Sequence, residues 1–292
     1  MANNCGGVTA RYETDRALVR FSGDVDADRI FQLCDEIDFA VDQYFYKHVC
    51  IEIDSRGGEA KSLLYFVECL KKWRTKKVRL ETKALTNCCS AAAYMLSLGD
   101  LGHRSAMTES ILLFHNVRIS GSSAPMTDEN LDSLRWNLSV ADAMIITQLL
   151  RHLYGSMLPQ STFDTLREIV CCLPDPKRDI DGTVLENALD SRGKRMLHSI
   201  LACRHEEERL SLRRELNRTL TDQLRKGRRT TGGKHASELP EPIKPTADNR
   251  NIRPALEWLY SRFEFYKHEF AKDEYIRPEK AITHKLIDRI GD

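Results

Sequence analysis

Three short stretches of this chain carry the residue types that acyl transfer needs. They are Asp54-Ser55-Arg56-Gly57-Gly58, Cys88-Cys89-Ser90-Ala91-Ala92-Ala93-Tyr94-Met95 and Ile111-Leu112-Leu113-Phe114-His115-Asn116. A glycine pair exposes backbone N–H groups that can hold an oxyanion. A serine hydroxyl is a nucleophile once a neighbouring base takes its proton, and histidine is that base near neutral pH. Singly, each has an ordinary explanation: a turn for Gly57-Gly58, a helix N-cap for Ser90, a structural histidine for His115. Only their combination points to a site.

The elements that must position them are legible from hydrophobic periodicity. Ala17 to Phe21 alternates as a short strand ending at Ser22-Gly23, and Asp28 to Tyr44 has helical spacing. His48 to Ile53 is a β-branched buried strand that ends in the glycine pair, and Glu59 to Arg74 is a second helix. Val78 to Thr82 alternates again, Ser90 to Leu98 is a helix of small apolar residues, and Ser110 to Phe114 is another apolar strand. Strand and helix alternate throughout, which predicts an α/β domain with largely parallel pairing and sites where strands end and helices begin. Gly57-Gly58, Ser90 and His115 all fall at or beside such junctions.

Beyond a Ser/Gly/Pro loop at 120–125, Asp128 to Tyr154 is a long helix of roughly 40 Å, longer than a small core needs, which predicts that part of it meets another subunit. Pro159 to Thr162 starts a further helix that continues through Phe163 to Val170. From Cys171 the texture changes to a polar break at Asp175–Asp179, a highly charged helix from His205 to Arg229, and a Pro/Gly-containing linker from Thr230 to Pro254. The apolar signal resumes from Ala255 to Phe270, and a short helix at Pro278–Lys285 closes the chain. The expected organisation is therefore 1–170, a core with its long helix; 171–254, a charged helical insertion and linker; and 255–292, a returning part of the core.

Composition narrows the class. Over 292 residues, 44 Lys+Arg balance 43 Asp+Glu for a formal net charge of +1, which argues against a dedicated nucleic-acid or membrane-surface protein. No run of about 18 apolar residues predicts a membrane span, and the first residues lack the basic-then-apolar pattern of a secretory signal. The nine cysteines include no C-x-x-C, and most lie within apolar runs, so a reducing cytoplasm is expected.

Taken together, Ser55-Arg56-Gly57-Gly58, then Cys89-Ser90-Ala91-Ala92 followed by Gly99, Gly102 and Arg104, then Ile111 to His115, resemble the proteolytic subunit of the Clp protease, the ClpP family. Downstream, Asp273-Glu274-Tyr275-Ile276-Arg277-Pro278-Glu279-Lys280-Ala281 with Leu286-Ile287-Asp288 is similar to the closing segment of that family. The resemblance covers about Ala17 to Gly155 and Phe270 to Ile290. It implies a ClpP/crotonase-like superhelix of repeated strand–strand–helix units, with the mostly helical insertion placed before the C-terminal segment.

The resemblance also implies roles. Ser90 is the nucleophile, His115 the general base and Asp273 the carboxylate that orients it; the N–H groups of Gly58 and Ala91 form the oxyanion hole, and Gly57 contacts substrate. Asp164 is a competing acid, at about the family's usual separation from His115 but in what looks like the first turn of a helix. The implied activity is cleavage of extended or unfolded polypeptides through an acyl-enzyme, in a homo-oligomeric ring or double ring. No cofactor or metal is implied; ATP would be hydrolysed only by a separate Clp-type unfoldase. Three departures stand out: the insertion of roughly a hundred residues, a short stretch before the first strand that reduces the contact surface for such an ATPase, and Arg56 where the family has proline. The rivals are a crotonase-type acyl-CoA enzyme, which lacks the triad, an inactive ClpP-like scaffold or adaptor, and a serine–lysine peptidase using Lys83.

Overall fold

The computed structural model describes residues 7–118, 128–175, 178–230 and 252–291. The loop expected at 120–125 and nearly all of the expected Thr230–Pro254 linker lie outside the described residues. Contacts cluster into two units, Met1–Asn116 with Phe270–Asp292, and Val117–Glu269.

The first unit is a mixed α/β fold in which strands and helices alternate. Its elements are β1 (Val8–Tyr12), β2 (Ala17–Ser22), α1 (Ala27–Asp42), β3 (His48–Ser55), α2 (Ala60–Thr75), β4 (Arg79–Cys89), α3 (Ala91–Ser97), β5 (Arg104–Ala106) and β6 (Ile111–Leu113). The sheet runs β1-β2-β3-β4-β5. The β1–β2 pair is antiparallel, while β2–β3, β3–β4, β4–β5 and β4–β6 are parallel.

Local chemistry explains most of these elements. β3 is a β-branched run with Val49, Cys50, Ile51 and Ile53 buried. α1 starts where the Asp26 carboxylate accepts the Arg29 N–H at 2.8 Å. It then buries Ile30, Leu33, Cys34, Ile37, Ala40 and Val41 on one stripe against β1, β2 and α2. Basic Lys72 and Arg74 end α2, where the helix dipole favours cations.

The strand expected over Val78–Thr82 is longer than periodicity indicates, because β4 continues past an irregularity. Ile53 pairs with Ala84 but Ser55 pairs with Cys88, so the β4 side carries extra residues there. The strand consequently forks: Thr82–Ala84 pair with β5, and Asn87–Cys89 pair with β6. The edge strand β1 and the three-residue β5 carry too little apolar alternation to be seen in sequence. Arg104 begins β5.

In the second unit, α4 (Asp128–Tyr154) has the expected bounds and is followed by α5 (Gln160–Arg167), which passes into a π-helical turn (Glu168–Cys172). Next come α6 (Gly182–Glu186), α7 (Ser191–Ala202), α8 (Glu206–Thr230) and α9 (Arg253–Ala271). Asp181 and Asp190 cap α6 and α7 with their carboxylates. Arg213 of α8 is 5% exposed and donates to the carbonyls of Cys172 at 2.7 Å, Arg178 at 3.0 Å and Leu173 at 3.2 Å. Cys172 and Leu173 lie at the end of the π-helical turn, where Cys172 O also accepts the Asp175 N–H at 2.9 Å, and Arg178 lies in the loop beyond it. Arg213→Met, similar in bulk but without donors, is expected to cost about 2–3 kcal/mol of stability. A denaturant midpoint equal to that of the wild type would show that water satisfies the carbonyls instead.

The chain then returns to the first unit with β7 (Tyr275–Ile276), α10 (Pro278–Thr283) and β8 (Arg289–Ile290). β7 pairs antiparallel with β6, and β8 pairs parallel with β5. Arg104, 2% exposed, is clamped by Asp288: its Nη2 lies 2.6 Å and its Nε 2.9 Å from the carboxylate. The C-terminal segment is thus tied to the motif arginine by a part-buried, two-point ion pair.

Candidate active site

Ser90 occupies the junction where β4 ends and α3 begins. Its backbone is at φ 55° and ψ −130°, a conformation that residues with a Cβ seldom adopt. Such a position costs about 1–3 kcal/mol and persists only where surrounding contacts enforce it. Those contacts are identifiable. The Ser90 N–H donates to Leu113 O at 2.7 Å, and the Ser90 carbonyl accepts from Ala93 N–H at 2.9 Å. Both backbone groups are engaged while the side chain makes no capping bond. The ordinary N-cap role is therefore not the one Ser90 plays. A serine held on a sharp strand-to-helix turn is the arrangement of a nucleophile elbow.

The glycine pair lies directly against this turn. A Cβ built on Gly57 (φ 96°) would sit 2.4 Å from Ser90 Cβ and 2.5 Å from Cys89 O, so only glycine fits. The loop is pinned on either side. Gly57 N–H donates to Ser55 Oγ at 3.0 Å, Val25 N–H donates to Gly57 O at 2.8 Å, and Glu59 N–H donates to Val25 O at 2.7 Å. Asp54 Oδ1 accepts the Asn87 N–H at 2.9 Å across the irregular part of β4. Gly57 thus has both its own polar groups engaged within the chain. The neighbouring Gly58 N–H has no acceptor among the described residues, and Ala91 N–H, in the first turn of α3, has no intrahelical partner.

His115 lies just past the end of β6, which pairs with the strand leading into Ser90: Cys89 stands opposite Leu113. Its carbonyl accepts the Tyr94 hydroxyl at 3.2 Å, and Tyr94 packs edge-on against Phe114 and Phe270 with ring centroids 5.6 and 5.4 Å away. Tyr94 is a positioning residue that sequence reasoning missed. The available signal was an aromatic side chain, four residues from Ser90, inside an otherwise small-residue helix. His115 Nδ1 lies 2.6 Å from Asn116 O. A carbonyl only accepts, so Nδ1 carries the proton and Nε2 is the basic nitrogen.

The expected carboxylate, Asp273, is not hydrogen-bonded to the imidazole, whose Nδ1 faces Asn116 O. Leu112 pairs with Ile276 and Leu113 with Tyr275. Continued two residues further, that antiparallel register would set Asp273 opposite His115. Asp273 is exposed, with φ 56°, rather than buried as expected for an orienting acid. Among the described residues no hydrogen bond joins Ser90 to His115 or His115 to Asp273. The competing Asp164 is held by Arg151 at 2.7 Å and by Gln160 Nε2 at 2.9 Å within the second unit.

Fold and site together describe a mixed α/β protein with a strained serine turn backed by a glycine pair, beside a histidine of defined tautomer. No family model matches the chain, and no curated protein matches it. None of the described helices is long and apolar enough to cross a membrane.

Proposed function

We propose that this chain is a ClpP-like serine endopeptidase that cleaves extended polypeptides through an acyl-enzyme. The observation that carries the reading is the strained Ser90 turn seated on Gly57. Strain at a nucleophilic side chain free of any capping role is what a presented nucleophile requires. In the reaction, Ser90 Oγ attacks the scissile carbonyl as His115 Nε2 takes its proton. The Gly58 and Ala91 N–H groups donate to the oxyanion, and the imidazolium then protonates the leaving amine. Asp273 receives Nδ1–H once the imidazole leaves the Asn116 carbonyl, and assembly into a homo-oligomeric ring belongs to the same proposal. The finer fold assignment, a ClpP/crotonase superhelix, belongs to the same proposal. So do a cytoplasmic location, which the free thiols of the described cysteines support, and any service to a separate Clp-type ATPase.

Two observations favour a second reading, a catalytically silent ClpP-like scaffold: His115 Nδ1 is taken by a neighbouring carbonyl, and Asp273 is exposed. Labelling of the assembled protein with a fluorophosphonate serine probe separates the two. The peptidase reading expects labelling that Ser90→Ala abolishes, that His115→Ala and Asp273→Asn reduce by about 10²–10⁴-fold, and that Asp164→Asn leaves intact. An assembled, folded wild type that takes up no probe at Ser90 would mean the scaffold reading is right. Loss of labelling in Asp164→Asn alone would transfer the orienting role to that residue.

A further inference from the structure

α1 has two longitudinal stripes, and only one of them is core. On the outer side Asp28, Phe31, Gln32, Asp35, Glu36 and Phe39 follow the helical repeat and line a shallow, open groove along the helix face. Phe31 and Phe39 are 46% and 48% exposed, too large a fraction for side chains serving the core. Each rests on another surface aromatic instead: Phe31 on Tyr65 with ring centroids 4.5 Å apart, and Phe39 on Tyr44 at 5.3 Å.

The acids of α1 divide the same way. Asp26 pairs with Arg29, Asp38 with Lys72 at 2.7 Å, and Asp42 with Lys76. Asp28, Asp35 and Glu36, the carboxylates of the groove, have no cationic partner among the described residues. The stripe is therefore both apolar and unneutralised.

We propose that this outer stripe of α1 docks a cationic amphipathic segment of a partner protein, with apolar side chains seated on Phe31 and Phe39 and Lys or Arg facing Asp28, Asp35 and Glu36. Charge complementarity selects this occupant. Two copies meeting isologously would set acids against acids, which costs rather than contributes binding energy. Cationic side chains also gain from the exposed phenyl faces. The proposal is independent of the peptidase reading, because it uses none of the residues near Ser90.

The test uses the full chain and a dye-labelled amphipathic helical peptide of lysine and leucine, about 14 residues long, long enough to span the groove. Anisotropy should show saturable binding that weakens at least about tenfold in Asp35→Asn/Glu36→Gln, in Phe31→Ser and on raising salt from about 0.05 to 0.5 M. Glu68→Gln, an exposed acid on α2, should leave it unchanged. An all-lysine peptide of the same length should bind at least about tenfold more weakly, since it leaves the phenyl rings uncovered. Carbodiimide cross-linking of wild-type protein to the peptide, mapped by mass spectrometry, should join peptide lysines to Asp35 or Glu36 whether or not the variants fold. Binding that ignores these substitutions, cross-links confined to other carboxylates, or no saturation by about 1 mM would overturn the proposal. So would a concentration-dependent dimer lost in Phe31→Ser, which would assign the stripe to a second copy.

Discussion

Asp288→Asn lowers the stability of the protein by about 3–5 kcal/mol, because it leaves the buried Arg104 guanidinium without its counter-charge. Arg104 is 2% exposed, and its remaining donor Nη1 is committed to the carbonyls of Ser97 at 3.2 Å and Lys285 at 3.0 Å. Asp288 also accepts backbone N–H groups from Gly102 at 2.8 Å and Arg104 at 3.0 Å. An amide oxygen retains part of that geometry but none of the charge.

Burial pushes the Asp288 carboxyl pKa up, yet the hydrogen bonds and charge of Arg104, with the two N–H donors, outweigh it and hold the value below the usual range. A depressed carboxylate contributes stability above its unfolded pKa of about 3.9, and that contribution is lost as pH falls through the lower folded value. Wild-type stability therefore declines as pH drops below about 4, and the Asn variant loses that part of the decline. Urea midpoints measured at neutral pH and in acid check both statements. Equal midpoints for variant and wild type at neutral pH would show that the C-terminal segment is held by apolar packing alone.

Gly57→Ala reduces fluorophosphonate labelling of Ser90 by about 10²–10³-fold, the loss expected when an oxyanion donor is displaced. The added methyl would sit 2.4 Å from Ser90 Cβ and 2.5 Å from Cys89 O, distances that force the loop to retreat and carry the Gly58 N–H with it. Gly102→Ala is the control. Gly102 also has positive φ (85°), but a Cβ there meets nothing within 4 Å. It should show only the conformational cost of about 1 kcal/mol, with labelling unchanged. Labelling of Gly57→Ala at the wild-type rate would separate the glycine pair from the reactive centre.

How much of this was legible beforehand differs by element. β3, α1, α2, α4 and the helix after Ser90 announce themselves through periodicity within a few turns of chain, and their observed bounds lie close to those expected. β1 and β5 do not, since a two-sided polar edge strand and a three-residue strand carry little apolar signal. Spacing predicts a helix continuing through Val170, where the structure has a π-helical turn; the difference lies in hydrogen-bond register rather than in residue type. The grouping of α4 with the charged helices of the second unit likewise follows from contacts that no spacing rule contains.

For the site, residue types determined the candidates: a glycine pair after a strand, a serine before a small-residue helix, and a histidine after an apolar strand. Tertiary structure alone decided their relations. The fork in β4 sets β6 beside Ser90, antiparallel pairing with β7 brings the C-terminal segment alongside β6, and close backbone packing makes Gly57 the seat of the serine turn. It also decided that His115 bonds to Asn116 O and that Asp273 is exposed. The physical reason is range. Periodicity reports which face of an element is buried within a few residues, whereas register, steric apposition and ring orientation depend on partners far away in sequence.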